Sequence, residues 1–195
     1  MAILWGAAGP AARARGFGAV AALALAGCGH LGNTPVGGLP ADVHAPPDPR
    51  DVAEHPCRYG DVARCVARCT ADDPQACNAA GVMFEFDEGT RSEPALASGF
   101  YSRSCDGNYG QGCNNLAWLY LRGRGVPRDQ PHAMLLFMAA FDASKLACAR
   151  GDASGCLLAG EILYEGRGVD ADEQQALAFF RRACDGGQAQ ACSAL

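Results

Sequence analysis

Ten of the eleven cysteines could bond to one another or hold metal ions, because they fall into five pairs whose partners are eight positions apart. The pairs are Cys57 and Cys65, Cys69 and Cys77, Cys105 and Cys113, Cys148 and Cys156, and Cys184 and Cys192. Eight positions of continuous α-helix separate two Cα atoms by about 12 Å, whereas a disulfide needs them within about 7 Å. If the pairs are disulfides, the chain must reverse inside each pair, and each bond joins one helix to the next.

The choice between disulfides and zinc depends on the rest of the composition. Eleven cysteines in 195 residues are many for a reducing compartment, where thiols stay free. Paired cysteines can also ligate zinc, but the histidines do not follow the cysteine spacing. They are His30, His44, His55 and His132. The sequence therefore favours five disulfides in an exported protein over metal sites, and we expect no cofactor.

Residue patterns typical of catalysis are weak in this chain. A serine β-lactamase needs a Ser-x-x-Lys box, but the sole lysine is Lys145 and the residue three before it is Asp142. His132 could act as a base, although a histidine at a helix start is more often a solvated surface residue. Gly-Arg-Gly-Val lacks the Lys-Ser/Thr of a phosphate-binding loop. We expect no catalytic residues.

The charged residues argue against nucleic-acid binding. The net charge is −5 and there is no basic block, whereas nucleic-acid binding needs clustered Lys and Arg. Acidic residues gather near the first clear repeat, where a solvated face explains them. They are Asp72, Asp73, Glu85, Asp87 and Glu88.

The N-terminal part predicts export and a membrane anchor. Residues 1–27 carry arginines followed by an apolar run too short to span a bilayer, as in a signal peptide. Leu25-Ala26-Gly27-Cys28 resembles the bacterial lipoprotein box, in which the cysteine is lipidated. The alternative is an ordinary signal peptide with an incidental cysteine. Residues 28–56 are rich in proline and glycine and predict a flexible tether, so the folded domain is expected at 57–195.

The spacing of the cysteine pairs is itself periodic. Cys69, Cys105, Cys148 and Cys184 follow one another at intervals of 36, 43 and 36 residues, which indicates a helical repeat. Each unit reads as a first helix that starts near the second cysteine of a pair, for example Ser154 to Glu165, then a glycine turn, and a second helix after an acidic start. The seven extra residues of the middle unit predict a longer second helix, since seven residues are nearly two whole turns. A short capping helix is expected from Asp61.

These motifs together resemble the Sel1-like repeats, relatives of the tetratricopeptide repeats, and more closely their cysteine-rich secreted bacterial branch. The resemblance rests on Tyr-x-Gly-x-Gly-Val, the Ala and Phe-Phe of the second helix, and Ala-Cys-Asp-x-Gly with a cysteine eight positions later. It covers about Cys69 to Leu195. It implies an all-α fold, a right-handed α/α solenoid of stacked antiparallel helix pairs joined by disulfides.

The resemblance also directs the functional prediction. Such solenoids offer extended concave surfaces, so we expect a non-catalytic, envelope-anchored scaffold that binds a protein, a peptide or a cell-wall fragment. Candidate ligand-face residues are Trp118, Tyr120 and Tyr164, although helical spacing makes core packing the default for at least one of the first two. The alternative, implied by the resemblance alone, is weak β-lactam binding or hydrolysis.

Overall fold

The computed structural model describes Cys57 and residues 60–195, and this part of the chain forms eight α-helices. They are α1 (Val62–Thr70), α2 (Pro74–Phe86), α3 (Pro94–Asp106), α4 (Gly110–Arg122), α5 (Gln130–Ala149), α6 (Ala153–Glu165), α7 (Glu173–Asp185) and α8 (Ala189–Cys192). Strands are absent from these residues. The predicted all-α solenoid is confirmed.

The helices form three repeat units, each with a first and a second helix. The units are α2/α3, α4/α5 and α6/α7, with α1 before them and the short α8 after them. Each helix packs on the next one along the chain, and α4 also contacts α2 and α6. Contacts are therefore confined to a unit and its neighbours, as in other repeat proteins. The predicted capping helix is α1, with Asp61 as its N-cap.

Aspartates and glycines set the ends of the helices. Asp172 caps α7 by accepting a hydrogen bond from the Gln175 backbone N–H at 2.9 Å, and this bond lowers the pKa of Asp172. The first helices end at Gly123 and Gly166, whose φ angles of 68° and 69° lie in the left-handed region. Asp87 takes the same place in the first unit at a φ of 64°. This explains how that unit ends its helix without the Gly-x-Gly sequence.

A small residue in each first helix lets an aromatic ring of the second helix pack closely. A Cβ atom added to Gly160 would lie 2.6 Å from the Phe180 ring, and one added to Gly81 would lie 2.5 Å from the Tyr101 ring. In the middle unit the small residue is Ala117, which belongs to the same buried cluster as Phe137. The three positions are equivalent, each four residues after the second cysteine of a pair. They fix how closely the two helices of a unit approach.

Each of the five cysteine pairs is joined by a disulfide. The Cα atoms of the partners are 4.5–4.8 Å apart. The chain reverses between the partners, so that each of the last four bonds joins the end of one helix to the next helix along the chain. Cys57–Cys65 instead attaches the segment before α1 to that helix. The other four bonds are Cys69–Cys77, Cys105–Cys113, Cys148–Cys156 and Cys184–Cys192.

The second cysteine of a pair lies inside the first helix of a unit, which differs slightly from the start expected from the sequence. Cys77 is a buried residue of α2, which begins three positions earlier at Pro74. Its bond to Cys69, with 4.5 Å between the Cα atoms, attaches this first turn to α1. The helix begins earlier because Asp73 caps it by accepting hydrogen bonds from the backbone N–H groups of Gln75 and Ala76.

Helix α5 is longer than the other second helices. It has 20 residues, whereas α3 and α7 have 13 each, so the predicted seven-residue extension lies within the helix. By length and apolar composition α5 could cross a membrane, a property that core helices share. Here it packs against α4 and α6, with Phe137 and Ala140 fully buried.

Candidate functional site

Arginines in the glycine turns connect each unit to the one before it. Arg124, in the turn after α4, donates from Nη2 to the backbone oxygen of Glu85 at 2.7 Å and from Nη1 to Glu85 Oε1 at 3.2 Å. Glu85 lies in α2, 39 positions earlier in the chain. Because these bonds cross the boundary between units, they fix how the second unit is oriented on the first.

Glu85 corrects one expectation from the sequence. It was expected on a solvated face with its acidic neighbours, but it is only 7% exposed. Its Oε2 accepts a hydrogen bond from Tyr101 Oη at 2.8 Å, while Arg124 binds its other oxygen. A buried carboxylate needs such partners, and here they come from α3 and from the turn after α4. Glu85 therefore belongs to the structural contact between units.

Arg167 has the equivalent place in the turn after α6, but its surroundings differ. Its Nη1 donates to Asn114 Oδ1 in α4 at 2.8 Å. Its guanidinium lies 5.7 Å from the ring centre of Trp118 and 5.4 Å from that of Phe137. Arg167 Nε lies 3.1 Å from Glu165 Oε2, so the two side chains form an ion pair. The N–H of Nε does not point at this oxygen closely enough to make a hydrogen bond. The second junction therefore combines a cation, two aromatic rings and a carboxylate.

Trp118 is at the centre of this junction. Its ring meets Phe137 edge to face, with 5.4 Å between ring centres. The guanidinium of Arg122 lies 4.6 Å from its ring centre, so Trp118 has close contacts with two arginines. Trp118 is partly exposed and Arg122 is exposed. We call the whole group the Trp118 cluster, which consists of Asn114, Trp118, Arg122, Glu161, Glu165 and Arg167.

Glu161 supplies a second carboxylate to the cluster. It is five residues after Cys156, as Trp118 is after Cys113, so the two have equivalent places in successive units. Burial raises the pKa of Glu161, Arg167 opposes this rise, and Glu165 adds to it. An ionisable group with a perturbed pKa is a marker of functional sites, although structural networks perturb pKa values too.

The three candidate ligand-face residues do not share one surface. Trp118 lies in the cluster, whereas Tyr120 packs edge to face on His132, with ring centres 4.5 Å apart. Tyr164 is 56% exposed, and its ring centre is 6.4 Å from that of Phe180. Tyr120 and Trp118 are two positions apart in one helix, so their side chains point in different directions.

Tyr120 and His132 line a groove of about 310 Å³ between α3 and α5. Gly99, Leu116 and Leu136 also border it. His132 was expected to be a solvated surface residue, but it is partly buried by its contact with Tyr120. Its backbone N–H donates to Asp129 Oδ1 at 3.0 Å, as part of the helix cap. Its ring is therefore a packing group of the groove.

The described residues show how the remaining chemical candidates are placed. Lys145 pairs with Asp142 at 3.7 Å on the exposed side of α5. Within residues 60–195 and Cys57, His, Cys, Asp and Glu side chains form no group of three that could hold a metal ion. Cys28, the predicted site of lipidation, lies outside the described part, as do the predicted signal peptide and the whole predicted tether.

Comparison with known families decides the classification. Three consecutive matches to the Sel1 repeat cover residues 74–109, 110–143 and 153–188, which is more than half of the chain. The chain belongs to the Sel1 repeat family. The three matches begin at Pro74, Gly110 and Ala153, where α2, α4 and α6 begin. The family repeat is thus the helix pair described above.

Individual Sel1 repeat proteins and other relatives are similar to parts of the chain. Cytochrome c oxidase assembly factor 7 of Xenopus tropicalis is 28% identical over 129 residues, which are 65% of this chain and 48% of that protein. The chain thus spans about half the length of this relative. A Sel1 repeat protein of Oxalobacter formigenes superposes with a TM-score of 0.48 at 20% identity, covering 68% of this chain and 51% of the other. Cysteine rich protein B of Helicobacter pylori superposes with a TM-score of 0.45 at 25% identity, covering 75% of this chain and 96% of the other.

Sequence reasoning located the Sel1 repeats but missed the contacts between them. Gly-Arg-Gly-Val was interpreted as a turn that ends a helix, and the role of its arginine was not predicted. One signal was available, since Arg124 and Arg167 occupy the same place in two successive turns. The turn itself needs only the glycines, so an arginine repeated between them indicates a contact with residues outside the turn.

Proposed function

We propose that this chain is an exported, lipid-anchored scaffold that binds a protein or peptide segment at the Trp118 cluster without catalysis. One observation carries the proposal. The partly exposed indole ring of Trp118 lies 4.6 Å from the Arg122 guanidinium and 5.7 Å from that of Arg167. Tryptophan and arginine are the residue types most enriched at binding hot spots.

The cluster suggests the chemistry of the bound segment. An apolar or aromatic side chain could pack against the indole ring, while Arg122 could pair with a carboxylate. Glu161 and Glu165 would accept hydrogen bonds from backbone or side-chain N–H groups of the partner. Because Asn114 and Glu165 hold Arg167 in place, the surface is ordered before a partner arrives, which lowers the entropy cost of binding.

The compartment is proposed on separate grounds. Disulfides form and persist in oxidising environments and are rare in the cytoplasm, so five of them favour a location outside it. Leu25-Ala26-Gly27-Cys28 supports lipidation of Cys28. A lipid on Cys28 and a tether up to residue 56 would keep the binding surface near a membrane.

Site-specific photo-crosslinking in the native envelope tests the proposed site. The full chain would carry a photoreactive residue at Gln111, two helical turns before Trp118 on the same face of α4. A matched chain would carry it at Arg181, which is exposed on α7. We expect a defined crosslinked partner at position 111, and its loss in the Trp118→Ala variant. Identical products from both positions, or a product at 111 that survives Trp118→Ala, would contradict the proposal.

A further inference from the structure

The outer side of α5 carries a line of exposed apolar side chains. Leu135 and Leu146 are 60% and 58% exposed, and Met138 is 44% exposed. Met138 and the exposed Ala139 follow Leu135 by three and four positions, and Leu146 follows them by eight and seven, so the four residues lie along one side of the helix. Large exposed apolar residues are few in the described chain, and α5 holds three of six. Contiguous exposed apolar surface marks an interaction site.

Two opposite charges lie between Ala139 and Leu146 on this side of α5. Asp142 and Lys145 are 3.7 Å apart, and their side chains are 65% and 53% exposed. Along the helix the order is therefore apolar, acidic, basic, apolar. We call these residues the α5 stripe, which consists of Leu135, Met138, Ala139, Asp142, Lys145 and Leu146.

The order of these residues is self-complementary. When two copies of the stripe run in opposite directions, the acidic residue of each lies opposite the basic residue of the other. In the same register Leu146 of one copy lies opposite Phe141 of the other, and Met138 lies opposite the exposed Ala149. Two copies in parallel would instead place like charges opposite each other, which is unfavourable. A twofold axis produces the antiparallel arrangement, and twofold dimers are the commonest oligomers.

We infer that the α5 stripe is the contact surface for a second copy of this chain, packed antiparallel about a twofold axis near residues 142–145. Asp142 of each copy faces Lys145 of the other, and Met138 and Leu146 of each copy pack against α5 of the other on both sides of the axis. This surface is separate from the Trp118 cluster, so the inference does not rest on the proposed function.

A membrane is the other surface that could cover the stripe. Insertion among acyl chains would remove water from Asp142 and Lys145, and a single ion pair does not recover that cost. In a contact between two copies, Asp142 and Lys145 each gain a second partner of opposite charge. They lie at the edge of the contact surface, where they keep some water. One pair of helices buries little area, so the dimer should be weak in solution. The charge pattern therefore favours a second copy.

The single lysine of the chain makes the contact measurable. Unlabelled and ¹⁵N-labelled full chains, purified in mild detergent, are mixed and treated with a carbodiimide, which joins amines to carboxylates without a spacer. We expect a crosslinked dimer whose mass spectrum contains Lys145 of one isotope joined to Asp142 of the other. Lys145→Arg is the matched control: it retains the charge and the dimer in sedimentation but loses the crosslink.

Charge reversal tests the pairing independently. Asp142→Lys and Lys145→Asp should each raise the dimer dissociation constant by about tenfold or more, since two attractions become repulsions. A mixture of the two variants should form the mixed dimer, because each then meets its opposite charge. Recovery in the mixture also shows that both variants are folded.

Three results would overturn the inference. The first is a wild-type chain that sediments as a monomer at all concentrations. The second is a dimer that neither charge reversal weakens. In the third, Leu135→Gln and Leu146→Gln lower binding to phospholipid vesicles but leave sedimentation unchanged, which would make the stripe a membrane contact.

Discussion

The surroundings of the Glu161 side chain disfavour its charged form. Burial is the largest cause of its raised pKa, and Glu165 adds to the effect, while the nearby Arg167 opposes it. Below the ordinary carboxyl pKa of 4.5, Glu161 is protonated in the folded and unfolded states alike and does not affect stability. Above that value the folded state holds its proton longer, so stability falls as the pH rises through the folded pKa. At neutral pH Glu161 therefore lowers the free energy of unfolding.

Glu161→Gln should consequently stabilise the fold at pH 7, and the difference from wild type should vanish below about pH 4. Urea unfolding at both pH values, followed by circular dichroism, measures it. If binding at the Trp118 cluster needs this carboxylate, the stabilised variant should also lose affinity for the partner. A variant that is less stable than wild type at pH 7 would show that Glu161 supports the fold.

The sequence predicts single residues well where their role is local. A helix was expected from Asp61, and the second helices were expected to follow an acidic start. Asp61 and Asp172 both cap helices, because capping involves only the next few residues. Glu85 could not be placed in the same way. Its burial depends on Tyr101 and Arg124, which are 16 and 39 positions away, and only the stacking of the units brings them together.

At the scale of the helix, α5 shows how an insertion can keep the repeat in phase. Its first eleven residues have buried positions like those of α7, with Ala133, Phe137 and Ala140 matching Ala176, Phe180 and Ala183. The next residue in α7 is Cys184, whereas in α5 seven residues come before Cys148. Seven residues turn the helix by only about 20° from its starting face. Cys148 is thus two turns further along the same side, and the sequence predicted this because spacing alone determines it.

Deletion of residues 141–147 should therefore leave a folded protein with five disulfides, in which Cys148 follows Ala140 as Cys184 follows Ala183. It should lose some stability, because Phe141 no longer packs edge to face on Phe179. Deletion of only residues 141–145 is the matched control: it turns Cys148 by about 140° and should leave free thiols. Thiol counting by mass spectrometry distinguishes the two. Five disulfides in both variants would show that helix phase does not govern the pairing.

At the scale of the whole molecule, stability is distributed along the stack and should depend on position. Each disulfide closes a loop of about nine residues, worth roughly 2.5 kcal/mol on the loop-entropy model. Cys105–Cys113 lies between the first two units, where units on both sides depend on the junction. Cys184–Cys192 holds only the four-residue α8. Units in a repeat stack stabilise their neighbours, so the inner bond should matter more.

Replacement of Cys105 and Cys113 by alanine should lower the free energy of unfolding by about 2–3 kcal/mol. The same change at Cys184 and Cys192 should cost less, because α8 can fray while the rest stays folded. Urea unfolding without reductant gives both values, and amide hydrogen exchange shows whether the loss is confined to α8. Equal losses from the two double variants would mean that the stack unfolds as one unit.

The pairing of neighbouring cysteines also bears on how this protein matures during export. Ten cysteines can be joined in about nine hundred ways, yet every native bond links a cysteine to the next one in the chain. A chain that emerges N-terminus first would acquire these bonds in order, and no reshuffling would be needed. That order works only if Cys28 is not a free thiol when Cys57 emerges. Under the proposed lipidation the sulfur of Cys28 carries the lipid. Cys28 could then not form a disulfide with Cys57, and Cys57 would remain available for Cys65.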